Sequence, residues 1–484
     1  MAKLQRKRGQ LTCLLLIYLT GLHGEVAESE KLMIKEEEDD KPLFLTPLIT
    51  AGKTEEARRR SRVGFSVESY SGLITVDQDK GSNLFFFLVK SKGRTLKAPL
   101  ILWLQGGPGQ SSLFTEFVEN GPIGIDGNGN LYERNITIQE HYDILYLDQP
   151  VGAGYSFTRN LTHGFAQSLE DMASDMEIFL QQFLFLFKEY KKRDFYISGE
   201  SYGVRPAASL AVHMHDLARR STPIGLNLKG VILGVGLFLD VQTQLDISDY
   251  YLKLGLVYVR GRYLLDKRLT AIRTALSRPT SIMKGLQLYF NTFRTSEESS
   301  RPSLFFQLTG YLYNANALNP YLPSEFPHFE RLMKNDTFKA LVHVGANAAF
   351  RVSDALILRN LVSDLFRNVS EEVEFLLAHN YSALVYAGQV DLTFPVEKIE
   401  TFLLGLKWPG AEEFRKQVHQ PWWGDMGQRN FAGYVKCYQN FMFVTLRSSG
   451  HYVFLDQPKD AHEMVRAFIE GRCPPRKGPI QNLV

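Results

Sequence analysis

Four apolar, aromatic and β-branched runs organise this chain: Leu100-Ile101-Leu102-Trp103-Leu104, Phe195-Tyr196-Ile197-Ser198, Ala383-Leu384-Val385-Tyr386 and Phe441-Met442-Phe443-Val444-Thr445-Leu446. Short continuous runs of this kind, bounded by glycine and polar residues, predict strands buried on both faces of a sheet. Strand-like and helical stretches alternate from residue 64 to about 236 and again from 381 to the end. That alternation predicts an α/β architecture with a mostly parallel central sheet flanked by helices. Between the two halves, about 241–379 reads as mostly helical and irregular, an insertion placed to cap the core. The chain carries no internal repeat.

Each run leads into a loop with chemistry. The second ends in Gly199-Glu200-Ser201-Tyr202-Gly203. A strand that ends in G-x-S-x-G and turns sharply into a helix is a nucleophile elbow, with the serine oxygen exposed at the sheet edge. A seryl hydroxyl is a poor nucleophile until a base removes its proton and a third group orients that base. The third run continues into Ala387-Gly388-Gln389-Val390-Asp391 and the fourth into Arg447-Ser448-Ser449-Gly450-His451, so an acid and then an imidazole follow the serine in chain order. A lone Asp or His on a loop is usually a solvated polar residue, whereas two after strands in the required order point to a triad. The first run leads into Gln105-Gly106-Gly107-Pro108-Gly109-Gln110, whose glycines let backbone N–H groups turn toward an oxyanion. No Gly-Lys-Ser/Thr follows at phosphate-loop spacing.

Together these residues closely resemble the serine carboxypeptidase family. The matching pieces are Trp103-Leu104-Gln105-Gly106-Gly107-Pro108-Gly109, Asp148-Gln149-Pro150-Val151-Gly152-Ala153-Gly154-Tyr155-Ser156, Gly199-Glu200-Ser201-Tyr202, the Asp391 loop and Gly450-His451. The resemblance runs from about Leu43 to the C-terminus and is strongest to the vitellogenic-like branch, through Lys41-Pro42-Leu43-Phe44-Leu45-Thr46-Pro47 and the glutamine before the double glycine. It implies an α/β-hydrolase fold whose largely helical insertion, 241–379, caps the site. It also implies removal of C-terminal residues from peptides through an acyl-enzyme, without metal or organic cofactor. Residue by residue, Ser201 matches the nucleophile, His451 the general acid/base and Asp391 the residue that holds the imidazole. The N–H groups of Gly107 and Tyr202 match the oxyanion hole. Gln105 and Glu200 match the pair that recognises the substrate carboxylate, with Glu119 as their supporting acid. A carboxylate facing a carboxylate repels unless a proton is shared, which implies a raised pKa at Glu200 and peptide binding favoured at acidic pH.

The chain also departs from the family. After the serine it runs Gly203-Val204-Arg205-Pro206 where Ala-Gly-Lys-Tyr-Val-Pro is usual, so the proline comes two residues early. Two residues are about 200° of helical rotation, enough to turn the Tyr202 N–H elsewhere. Gln110 replaces a small residue, and Tyr452-Val453-Phe454 replaces a Met-Val-Pro type sequence. Two other functions are therefore compatible with these residues: a weakly active or inactive binding or protective protein, and an esterase or acyltransferase on the same triad.

Composition narrows the setting. The 484 residues carry a net charge of +3 with dispersed Lys and Arg, so nothing points to nucleic acid. Lys3, Arg6, Lys7 and Arg8 precede an apolar run at 11–22, which reads as a signal peptide over 1–24 and is too short to span as a mature helix. Five sequons, at Asn135, Asn160, Asn335, Asn368 and Asn380, suggest a glycosylated protein that is secreted or endolysosomal. Residues 25–62 read as an acidic then basic extension or short propeptide ahead of a domain over 63–484, with Arg58-Arg59-Arg60-Ser61-Arg62 a solvated basic stretch or a processing site. Cys437 and Cys473 remain after the signal and form either one bridge or two free thiols. His213 and His215 sit two apart and do not share a helix face, which argues against a metal site. Peptide or protein C-termini are the expected partners, and a homodimer is compatible with the sequence.

Overall fold

Alternate residues of the apolar runs enter two different cores, which is why the runs are apolar throughout. Leu100, Leu102 and Leu104 join a core with Met172, Phe179, Ala207 and Leu210, while Ile101 and Trp103 join another with Met464, Val465 and Phe468. Successive side chains of a strand point to opposite faces, so a strand covered on both sides has no polar side to offer. The computed structural model describes residues 41–93, 97–295, 302–352, 355–424 and 431–473. The expected signal segment and the acidic run before Lys41 lie outside the described residues.

In chain order the strands of the main sheet are β1 (Arg62–Val63), β2 (Ser69–Asp77), β3 (Ser82–Val89), β4 (Leu100–Leu104), β7 (Asp143–Leu147), β8 (Asp194–Glu200), β9 (Asn227–Gly234), β10 (Ser382–Gly388), β11 (Gln420–Trp422), β12 (Gly433–Tyr438) and β13 (Phe441–Leu446). The small strands β5 (Ile123–Ile125) and β6 (Leu131–Glu133) form a separate ribbon. The sheet order is β1-β2-β3-β7-β4-β8-β9-β10-β13-β12-β11. Its centre, β7-β4-β8-β9-β10-β13, is parallel, and antiparallel pairs flank it on both sides. Helices Leu169–Leu186 and Val204–Arg219 cover one face and helix Pro458–Ile469 the other. The first is started by Ser168, whose side chain accepts from the Asp171 N–H, with Glu170 and Asp171 in the first turn.

Residues 241–379 fall between the end of β9 and the start of β10. The insertion's regular elements among the described residues are helices, including the pair Val259–Leu276 and Ile282–Phe293, joined by irregular stretches, and they contribute no strand to the sheet. Among the described residues no helix is long and apolar enough to cross a membrane.

The N-terminal boundary needs correction. The described part of the expected extension, from residue 41 to 62, is packed into the domain. Leu45 is fully buried, the Leu45 N–H donates to Leu73 O, and helices Thr46–Thr50 and Thr54–Arg60 lead into β1. Arg58 is a structural residue: its guanidinium donates to both Glu189 carboxylate oxygens at 2.9 and 2.8 Å and lies over the Tyr70 and Phe187 rings.

Cys437 on β12 is bonded to Cys473, which ties the tail beyond helix Pro458–Ile469 to the sheet. The cysteines are 36 residues apart, a loop whose closure removes about 3–4 kcal/mol of unfolded-chain entropy. Replacing both with serine is expected to lower the unfolding free energy by that order while leaving catalytic parameters within twofold, as checked by urea titration and peptide hydrolysis.

Candidate active site

Parallel pairing brings the chemistry to one edge. Leu104 pairs with Gly199, Glu200 with Gly234, Gly234 with Tyr386, and Gly388 with Leu446. The carboxyl ends of β4, β8, β10 and β13 therefore lie in register, and the loops of Gln105, Ser201, Asp391 and His451 leave from the same side of the sheet, where open α/β sheets bind ligands.

The turn after β8 is a strained elbow. Glu200 is still extended (φ −122°, ψ 139°), Ser201 takes a left-handed φ of 59°, and a single 3-10 turn over Ser201–Gly203 opens helix Val204–Arg219. A left-handed serine costs of order 1–3 kcal/mol, so the surroundings must hold it. Glycines make that possible. A Cβ on Gly199 would stand 2.2 Å from Gly203 O, and one on Gly203 would stand 2.2 Å from Leu104 O. The early Pro206 does not break the elbow. It is the third residue of the helix, in the first turn, where its missing N–H has no intrahelical partner to lose. The turn after β4 lies directly against the elbow: a Cβ on Gly106 would meet Ser201 Cβ at 2.6 Å and Tyr202 N at 2.8 Å. Gly107, with φ of 112°, follows at once.

Asp391 and His451 are paired. His451 Nδ1 lies 2.9 Å from Asp391 Oδ2, with Asp391 fully buried and His451 nearly so. The other Asp391 oxygen accepts from the Thr393 and Phe394 N–H groups at 2.7 and 3.1 Å, which fixes the carboxylate while leaving Oδ2 for the imidazole. The Phe394 ring stands edge-on to His451, with centroids 5.4 Å apart.

Beside the elbow lies a cluster of buried polar groups. Gln105 Nε2 donates to Thr115 Oγ1 at 2.8 Å and to Glu119 Oε1 at 3.1 Å, while its own oxygen accepts from the Gly106 N–H at 2.7 Å. The hydroxyl of Tyr386, from β10, points to Glu200 Oε2 at 3.5 Å. Glu119 Oε2 and Glu200 Oε1 are buried without a hydrogen-bond partner. Burial, and then the facing carboxyl of Glu119, push Glu200 well above the usual carboxylate range, and burial likewise raises Glu119. Two such neighbouring carboxyls disfavour the state in which both are ionised.

Several residues of this site carry no sequence signal of their own. Arg205 is fully buried behind the elbow. It donates to Leu237 O, Leu239 O and Arg367 O and to both the main-chain and side-chain oxygens of Asp364, and the Tyr202 hydroxyl donates to Asp364 Oδ2 at 2.8 Å. Asp364 lies in the insertion, 159 residues from Arg205, so only the fold joins them. Asp148, in contrast, sits in a quoted motif: it accepts from Ser111 Oγ, the Ser112 N–H and the Tyr155 N–H and knots two loops under the site. Glu119 shares the π-helix Thr115–Asn120 with Glu116, a second buried acid that the sequence reading missed. His213 and His215 face different partners, Glu177 at 2.7 Å and Tyr381 at 3.0 Å.

Glu116 has both carboxyl oxygens buried and unpartnered, and burial raises it to about 8, partly offset by Arg134. A carboxyl raised in the folded state contributes stability that is whole below its unfolded value near 4.5 and is lost as pH rises through about 8. Glu116→Gln, a permanent mimic of the protonated form, is therefore expected to flatten the fall of Tm between pH 5 and 8 by a few degrees, measured by calorimetry on both proteins.

Comparison with known proteins agrees with this geometry. The family model described as serine carboxypeptidase matches residues 60–471. Venom serine carboxypeptidase of Apis mellifera is 34% identical over 91% of this chain and 93% of its own length. Vitellogenic carboxypeptidase of Aedes aegypti is 35% identical over 89% and 90%, and probable serine carboxypeptidase CPVL of Homo sapiens is 31% identical over 89% and 90%. Among solved structures, a prohormone-processing carboxypeptidase of Saccharomyces cerevisiae superposes with a TM-score of 0.68 at 20% identity, covering 85% of this chain and 92% of that one. With its sheet, elbow and buried acid–imidazole pair, the chain belongs to the serine carboxypeptidases and is a hydrolase of the α/β-hydrolase fold.

Proposed function

We propose that Ser201 is the nucleophile of this carboxypeptidase, His451 its general acid/base and Asp391 the group that orients the imidazole. The observation that carries this reading is the 2.9 Å bond between His451 Nδ1 and buried Asp391, on the same sheet edge as the left-handed Ser201. Ser201 Oγ attacks the carbonyl of the last peptide bond and His451 takes its proton. The N–H groups of Gly107 and Tyr202 stabilise the oxyanion, an effect worth about 10²–10³ in rate per donor. His451 then gives the proton to the departing amino acid, and water releases the acyl group by the same route in reverse.

The Gln105, Glu119 and Glu200 cluster is the receptor for the substrate's free carboxylate. A shared proton between Glu119 and Glu200 turns a repulsive encounter into a hydrogen bond, so peptides bind best at acidic pH. Loss of that proton as pH rises restores the repulsion. Four of the five sequon asparagines are exposed and Asn160 is half-exposed, which supports glycosylation and a secreted or endolysosomal site of action.

Labelling with a fluorophosphonate at pH 5 should be lost in Ser201→Ala and His451→Ala, with kcat/KM for a blocked dipeptide falling by about 10⁴ or more. Labelling that survives Ser201→Ala rejects the nucleophile, and labelling without amino-acid release favours an esterase. Peptide KM should climb as pH rises into the alkaline range, while KM for an ester lacking a carboxylate stays level. Glu200→Gln should flatten the peptide profile because the amide has no proton to lose.

A further inference from the structure

Resting on that reading of His451, we propose that Asp456 is a positioning residue: its carboxylate clamps the loop carrying the imidazole to a strap of the insertion, residues 314–317, which also holds the Asp391 loop. The strap is tied to both partners of the pair. The His451 N–H donates to Ala315 O at 2.8 Å. On the acid side, the Ala317 N–H donates to Val390 O at 3.0 Å, and Thr393 Oγ1 donates to Asn314 O at 2.9 Å. Val390 and Thr393 flank Asp391, so these bonds hold the acid loop from either side.

Asp456 closes the arrangement from the short helix Val453–Asp456. Its Oδ2 accepts from the Gly450 N–H at 2.7 Å and from Asn316 Nδ2 at 2.9 Å. One carboxylate oxygen thus bridges the residue before His451 and the strap residue after Ala315. The approach leaves no slack: a Cβ on Gly450 would stand 2.3 Å from Ala315 O. Asn316 is itself buried, and its side-chain oxygen is used by the Leu318 N–H, so its amide is oriented for the carboxylate. The sheet sets where β10 and β13 end, but the two loops beyond them reach a common distance through the strap. An imidazole displaced by about 1 Å loses of order 10²-fold in rate.

Asp456 touches no substrate in this scheme, so its loss should spare binding. In the full-length glycosylated protein, Asp456→Ala, which removes the oxygen that accepts both bonds, is expected to lower kcat for a blocked dipeptide about 30-fold and to slow fluorophosphonate modification equally, with KM and the inhibition constant of the released amino acid within twofold. Asn316→Ala, which removes only the strap side of the clamp, should lower kcat about fivefold. The double variant should be no slower than Asp456→Ala, because both changes open one clamp. Wild-type kcat in Asp456→Ala overturns the proposal, as does a fall that is additive in the double variant or that appears in KM. Should Asp456→Ala fail to fold, an unchanged kcat in Asn316→Ala overturns it alone. His451→Ala separates the two readings: a His451→Ala protein that labels at the wild-type rate rejects the imidazole as base, whereas lost labelling there with full activity in Asp456→Ala rejects only the clamp.

Discussion

Everything at the site depends on the hydrogen-bonded register of β4, β8, β9, β10 and β13. Parallel ladders fix each strand against the next along its whole length, so the ends of distant sequence segments arrive at one edge without further instruction. Leu104, Gly199, Gly234, Tyr386 and Leu446 belong to that frame. A slip of one residue in any pair would turn every apolar side chain to the opposite core and withdraw one loop from the cluster. The frame supplies coarse placement, and the glycines of the elbow and the polar ties among the loops supply the remainder.

The chemistry sits in a region that is expensive for charge. Glu116, Glu119 and Glu200 are buried within or against one π-helix, and such single-turn irregularities gather at functional sites. The cost of desolvating these acids is reduced by keeping them protonated, which ties the tolerance of the fold for its own core to proton concentration. Integrity of the core around these three residues therefore responds to acidity.

Much of this was legible beforehand. Continuous apolar runs announce buried parallel strands because both faces are covered, and Gly199, Ser201 and Gly203 announce the elbow because only small residues fit it. Asp391 and His451 were readable because each follows such a run. The strap, Arg205 with Asp364, and the hydroxyl of Tyr386 were not, because their partners are brought together by tertiary contact alone. The stretch before residue 62 hides its packing for a related reason: a charged helix such as Thr54–Arg60 has the composition of a solvated tail, and only tertiary contact supplies Glu189 and the Tyr70 ring to Arg58. The early proline looked disruptive only while the start of its helix was unplaced.

Arg205 has a consequence for how the cap behaves. Its guanidinium reaches Asp364 and Arg367 in the insertion from the helix that begins at the elbow. Raising the whole insertion like a hinged door would strip these buried bonds and expose an unpaired aspartate, while loosening Tyr202 beside Ser201. The base of the cap is thus part of the wall of the site, fastened to the same helix as the serine.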